Sequence, residues 1–164
     1  MPPSRMDEPD AFIAIEQALE QLLRLNASRK VHTRRAAAAG VAISKPGLLL
    51  LRRLQEEGAL SIGDLARRTE MDPAATGRQI RLLEEDGLVT RTRGSKDGRV
   101  VAVQVTPRGA EARRRIGMVG ERHMEDVLEG WSLADRRRFA ALLPRFVDGL
   151  RTVPYRSSAD EMAS

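Results

Sequence analysis

Cysteine is absent from the 164 residues, which excludes disulfide staples, thiolate zinc sites and cysteine-based oxidant sensing together. No apolar run approaches the roughly 18 to 20 residues that span a bilayer, so no membrane partner is expected. The segment from Met1 to Asp10 lacks the apolar stretch and small-residue cleavage site of a secretory signal, which makes the cytoplasm the expected location. Histidine is confined to His32 and His123. Neither a glycine-rich phosphate loop nor an H-E-x-x-H pair occurs, which leaves little from which to build a catalytic centre. His32 lies in a basic segment and is expected to be solvated, while Glu121, His123 and Glu125 supply too few ligands at their spacing to hold a metal. No enzyme activity, cofactor or metal is expected, and no internal repeat is present.

Lysine is also scarce, with Lys30, Lys45 and Lys96 alone, yet the formal net charge is +5. The positive charge is therefore carried by arginine, which favours a polyanionic partner. GC-rich coding sequence enriches arginine and alanine for unrelated reasons, so composition by itself does not establish nucleic-acid binding. The length suits one buried core, or one reading module with a small association region, and not two large domains.

Local patterns divide the chain. Phe12, Ile15, Leu19, Leu22 and Leu23 recur at three- and four-residue steps and predict a helix from about Glu8 to Arg29. The basic stretch from Arg29 to Arg35 and the small residues from Ala36 to Ala42 leave secondary structure open. Ser44 can cap a helix that has Pro46 in its first turn and ends at Gly58. Ser61 caps a short third helix carrying Ile62, Leu65 and Ala66, Glu70-Met71 is a turn, and Asp72-Pro73 starts a fourth helix that Gly87 stops. Two helices joined by a tight turn form a helix-turn-helix. Leu88–Arg93 and Arg99–Val105 then read as strands joined through Gly94–Gly98, a β-hairpin in the position of a wing. Pro107 opens a long fifth helix that lasts until Gly130. Ser132 with Asp135 resembles a capping box ahead of a sixth helix, whose Phe139, Leu142, Leu143, Phe146, Val147 and Leu150 repeat at i, i+3, i+4 and i+7 before Pro154.

In the fourth helix the spacing turns Thr76, Gln79, Ile80 and Leu83 toward the third helix and leaves Ala74, Gly77, Arg78 and Arg81 on or beside the outward side. The second helix of such a pair enters the major groove by its N-terminal half. Ala74, Ala75, Thr76, Gly77, Arg78 and Arg81 are the expected DNA-contacting set there. Arginine suits guanine because its planar fork donates two parallel hydrogen bonds to O6 and N7. A charged helix face is also compatible with plain solvation, and the hairpin shifts the balance: Arg91, Arg93, Lys96 and Arg99 stand against Asp97 alone. Arg99 would leave the turn near its tip and reach a minor groove, with Asp97 orienting Arg99 or Arg91 by a charge-assisted hydrogen bond.

The runs Leu65-Ala66-Arg67, Asp72-Pro73-Ala74-Ala75-Thr76-Gly77-Arg78, Leu83-Glu84-Glu85-Asp86-Gly87-Leu88-Val89-Thr90-Arg91, Asp97-Gly98-Arg99 and Val105-Thr106-Pro107-Arg108-Gly109 closely resemble the MarR family of bacterial transcriptional regulators. The resemblance spans roughly Ala11 to Arg151 in element order. It implies a mainly α fold with a small β-hairpin wing: a winged helix-turn-helix with flanking N- and C-terminal dimerisation helices. It also implies entry of Arg78 and its neighbours into the major groove, and a small effector, often an aromatic acid, in the cleft between the dimer helices and the DNA-binding lobe. Gln79 departs from the family pattern, which usually has an apolar residue there, and Gly77 stands where threonine or serine is common.

The expected organisation is a dimerisation region at 8–30 and 107–153, a winged helix-turn-helix at 44–106, and disordered tails at 1–7 and 154–164. Phe12, Ile15, Leu19, Leu22, Phe139, Leu142, Leu143, Phe146 and Leu150 are the expected dimer contacts, because a reading module of this size does not need those stripes for its own core. The expected function is a sequence-specific, double-stranded DNA-binding repressor acting as a homodimer on a pseudo-palindromic operator, relieved by an aromatic or anionic small molecule whose pocket residues are unknown. The alternative is a winged module used for RNA or protein contact, which salt-dependent binding to duplex DNA would separate.

Overall fold

Four side chains and two glycines punctuate the chain. The structure is a computed structural model in which residues 8–93 and 101–155 are described, Glu8 and Arg93 by backbone alone. Helix α1 (Glu8–Ala27) is followed at once by α2 (Arg29–Ala38). Helix α3 (Lys45–Glu57) starts where the Ser44 hydroxyl accepts the Gly47 N–H at 3.0 Å and ends at Gly58, whose φ of 83° is open to glycine. Strand β1 (Leu60–Ser61) leads into α4 (Ile62–Thr69), and Asp72 caps α5 (Pro73–Glu85) by accepting the Ala75 N–H at 2.8 Å. Strands β2 (Val89–Arg93) and β3 (Val101–Val105) precede α6 (Pro107–Val127) and α7 (Leu133–Thr152).

At the starts of α4 and α7 a serine caps an aspartate three residues on. Ser61 and Ser132 accept the N–H of Asp64 and Asp135 at 3.0 and 3.1 Å and donate their hydroxyls to the same carboxylates at 2.6 Å. The expected capping box is thus modified, because the aspartate takes the serine hydroxyl rather than a backbone donor. That bond, helped by Arg67, holds the Asp64 carboxyl below its ordinary range.

The stretch left open in the sequence is helical, and the first helix stops at Ala27 because Ser28 takes an extended conformation. Helix α2 lacks an apolar stripe since it packs through Ala36, with Ala39 buried at its end. Arg35 also donates from Nε to the Ile116 carbonyl at 3.1 Å. His32 is not solvated as expected: it is half-buried, and its Nε2 bonds the Ile43 carbonyl at 3.0 Å. A third strand joins the expected hairpin. The antiparallel order is β1-β3-β2, with Leu60 opposite Val103 and Val89 opposite Val105, so β3 is central.

The core gathers Leu50, Leu51 and Leu54 of α3, Leu65 of α4, Ile80 and Leu83 of α5, Leu88, Val89, Val103 and Ala112. Its tightest point is the start of α6. The Thr106 hydroxyl donates to the Gly87 carbonyl at 2.7 Å and accepts the Gly109 N–H at 3.0 Å, while the Thr106 N–H donates to the Leu88 carbonyl at 3.1 Å. A Cβ on Gly109 would lie 2.0 Å from the Leu88 oxygen.

The chain divides into two units, 1–121 and 122–164, with the boundary inside α6. In the first, Phe12, Ile15 and Leu22 of α1 are exposed and Leu19 is half-buried. In the second, Trp131 meets Phe139 edge-on at 5.4 Å. Helix α7 there buries no residue, leaving Phe139, Leu142, Leu143 and Leu150 exposed and Phe146 half-buried. No helix of the described residues is long and apolar enough to cross a membrane.

Gly109→Ala is expected to destabilise the fold by about 1–3 kcal/mol, the cost of forcing a methyl into a filled site. Gly117→Ala on the same helix meets nothing within 4 Å and should instead gain up to about 1 kcal/mol from helix propensity. Equal denaturation midpoints for the two variants would refute the close approach at Leu88.

Candidate nucleic-acid interface

Helices α4 and α5 are joined by Glu70, which at φ 53° takes the left-handed conformation, and by Met71, whose N–H donates to the Ala66 carbonyl at 3.0 Å. This tight reversal lets Leu65 and Ala66 bury beside Ile80 and Leu83. The burial fixes which face of α5 turns outward. Ala74, Arg78 and Arg81 are exposed, and Ala75 and Gly77 are half-buried.

Thr76, expected among the DNA contacts, is fully buried at 0% exposure. Its hydroxyl donates to the Asp72 carbonyl at 2.9 Å. Helical spacing puts it on the inward side, so it stabilises the first turn of α5 and presents no atom to a groove.

Among the described residues, neither Arg78 nor Arg81 has a carboxylate within 4.0 Å, whereas Arg67 pairs with Asp64 and Arg68 with Glu57. The two guanidiniums on α5 keep their donors available. Arg91 differs: its Nε lies 3.0 Å from a Glu84 oxygen, which ties β2 to the last turn of α5. Among the described residues, Glu84 is the carboxylate that this arginine meets. Lys96, Asp97 and Arg99 lie outside the described residues, as does the side chain of Arg93.

Gln79 is half-buried, and its Oε1 accepts the Ser44 hydroxyl at 2.6 Å. Nothing local in the sequence signals this bond, which joins residues far apart in the chain. Beside it lies a cleft of about 490 Å³ lined by Ala27, Arg29, His32, Thr33, Ile43, Ser44, Lys45, Pro46 and Gln79, with no acidic residue in its wall.

An exposed, arginine-bearing second helix of a tight helix pair, backed by a three-stranded sheet, defines a winged helix-turn-helix DNA-binding protein. Residues 43–101 match the model of the MarR family. Over 111 residues the chain is 31% identical to the uncharacterized HTH-type transcriptional regulator YdgJ of Bacillus subtilis, covering 68% of each chain. It is 28% identical over 110 residues to the HTH-type transcriptional repressor Rv2887 of Mycobacterium tuberculosis, covering 67% of this chain and 79% of that one. Among solved structures, a MarR family protein from Bacillus stearothermophilus superposes with a TM-score of 0.70 at 25% identity, over 85% of this chain and 97% of that one. The chain belongs to the MarR family of transcriptional regulators.

A Cβ on Gly77 would meet nothing within 4 Å. Gly77→Ala should therefore raise stability by about 1 kcal/mol, the propensity difference in a helix interior. Chemical denaturation measures it, and a loss of stability would mean that α5 needs glycine for its own folding.

Proposed function

We propose that the protein is a homodimeric, sequence-specific repressor that reads a pseudo-palindromic operator through α5 and the hairpin, and that a small anionic effector releases it. The observation that carries this reading is the pair Arg78 and Arg81: both are exposed, both lie on the outward side of α5, and neither is engaged by a carboxylate among the described residues. Bidentate donation from such arginines to guanine is the commonest base-specific contact. Rv2887 carries the description of a repressor, which supports that sign of regulation. A DNA partner supports a cytoplasmic location.

Dimerisation is supported by the apolar faces. Each leaves large side chains exposed, Leu150 of α7 at 62% and Phe12 of α1 at 65%, and their burial would return about 25 cal/mol per Å². A twofold pair would set its reading helices about 34 Å apart, one turn of DNA. The effector class is supported by the acid-free cleft beside Gln79, whose wall carries Arg29, His32 and Lys45.

Arg78→Ala is expected to cost about 1–3 kcal/mol at particular operator positions and so to change sequence preference. Arg99→Ala should weaken binding evenly and flatten the dependence of log K on log salt by up to about one unit per protomer. Titrations against an operator, its point variants and random duplex at several salt concentrations distinguish them; an unchanged salt slope for Arg99→Ala would remove the hairpin from the interface.

Light scattering at micromolar concentration should return the dimer mass, and replacing Leu143 and Phe146 by glutamate should return the monomer. A wild-type protein that scattered only as a monomer would overturn the dimer.

A further inference from the structure

Leu50, Leu51 and Leu54 of α3 share one core with Ile80 and Leu83 of α5, and a side-chain hydrogen bond joins the start of α3 to α5 at the rim. In the interior of this interface lies the buried Gly47, where a Cβ would sit 3.0 Å from Ser44 Oγ, 3.3 Å from Ile43 Cγ1 and, at ordinary contact distance, 3.4 Å from Leu83 Cδ2. At its outer end the Ser44 hydroxyl accepts the Gly47 N–H at 3.0 Å and donates to Gln79 Oε1 at 2.6 Å. One hydroxyl thus caps α3 and grips α5.

A glutamine on a reading helix is ordinarily a candidate adenine reader, using its carbonyl oxygen toward N6–H and its amide nitrogen toward N7. Here the oxygen is held by Ser44 and the side chain is half-buried. We infer that Gln79 is a positioning residue: within the face that burial of Ile80 and Leu83 sets, its exposed bond to Ser44 trims the rotation of α5 about its own axis, and so the direction in which Arg78 and Arg81 meet the bases. This rests on the DNA-reading role proposed above. Successive residues of a helix lie about 100° apart, and turning the helix by roughly 15° moves a group at its roughly 6 Å outer radius by about 1.5 Å. A bidentate hydrogen bond does not survive that displacement. An apolar residue at position 79 could fill the same space but would leave the rotation to packing alone.

The experiment is selection of bound duplexes from a random-sequence pool by the full-length protein, as wild type, Arg78→Ala, Gln79→Leu, Gln79→Glu and the pair Ser44→Ala with Gln79→Leu. Wild type should recover a motif. Gln79→Leu should lower discrimination roughly two- to tenfold, the range of one hydrogen bond's net worth, at the same positions that Arg78→Ala affects. Gln79→Glu still offers an oxygen to the Ser44 hydroxyl, so it should keep the motif while its added negative charge weakens binding evenly. The double variant should discriminate no worse than Gln79→Leu, which separates this coupling from simple loss of the α3 cap. If Gln79→Glu lost preference at one A·T pair as fully as Gln79→Leu, Gln79 would be a base reader and the inference overturned. An unaltered motif in Gln79→Leu would overturn it equally. A wild type that recovered no motif would remove the DNA-reading role first, and this inference with it.

Discussion

The carbonyl oxygen of Leu88 occupies the place where a side chain on Gly109 would begin, and much of the DNA-reading unit depends on that contact. Four segments converge on it. Gly87, at φ 68°, turns the chain out of α5, and its carbonyl accepts the Thr106 hydroxyl. Leu88 returns its own N–H to the Leu83 carbonyl of α5 at 2.8 Å and offers its carbonyl to the Thr106 N–H. Thr106 then caps α6 through Gly109. The ends of the reading helix, of both long strands and of the following helix are thereby fixed to one another by backbone groups and a single hydroxyl.

The arginine excess, ambiguous as composition, separates once partners are known. Arg67 and Arg68 are answered by Asp64 and Glu57, Arg91 by Glu84, and Arg35 serves the Ile116 carbonyl. Exposed pairs of this kind contribute at most about 1 kcal/mol each. Among the described residues, Arg78 and Arg81 are the arginines of the helix pair α4–α5 that no carboxylate answers within 4.0 Å.

What the sequence disclosed follows from the range of the interactions. Ser44, Ser61, Asp72-Pro73 and Ser132 mark helix starts within three residues of themselves, and Gly58 and Gly87 mark stops by their own backbone freedom, so these boundaries were legible. Helix α2 was not, because alanines and an arginine–carbonyl bond replace an apolar stripe. Strand β1, two residues long, is too short to carry alternation and exists only by pairing with β3. The Ser44–Gln79 contact joins residues far apart in sequence, and the Arg91–Glu84 pair crosses from strand to helix through the turn at Gly87, so no helix or strand period encodes either. Thr76 is the instructive case: spacing turned it inward, its place in the N-terminal half of α5 put it in the expected contact set, and it is buried.

The proposed reading role bears on why a single copy would be a poor regulator. If Arg78 and Arg81 each supply about 1–3 kcal/mol of discrimination, one α5 would supply roughly 2–6 kcal/mol. Useful operator recognition requires about 4–10 kcal/mol over random sequence, because a genome presents an enormous excess of competing sites. Two copies related by a twofold axis bring the total to roughly 4–12 kcal/mol without any new side chain. In the proposed dimer the apolar faces of α1 and α7, which a solitary chain leaves to water, would serve specificity as much as stability. The association surface and Arg78 with Arg81 would then be parts of one solution: a short reading helix with few base contacts becomes selective by being counted twice.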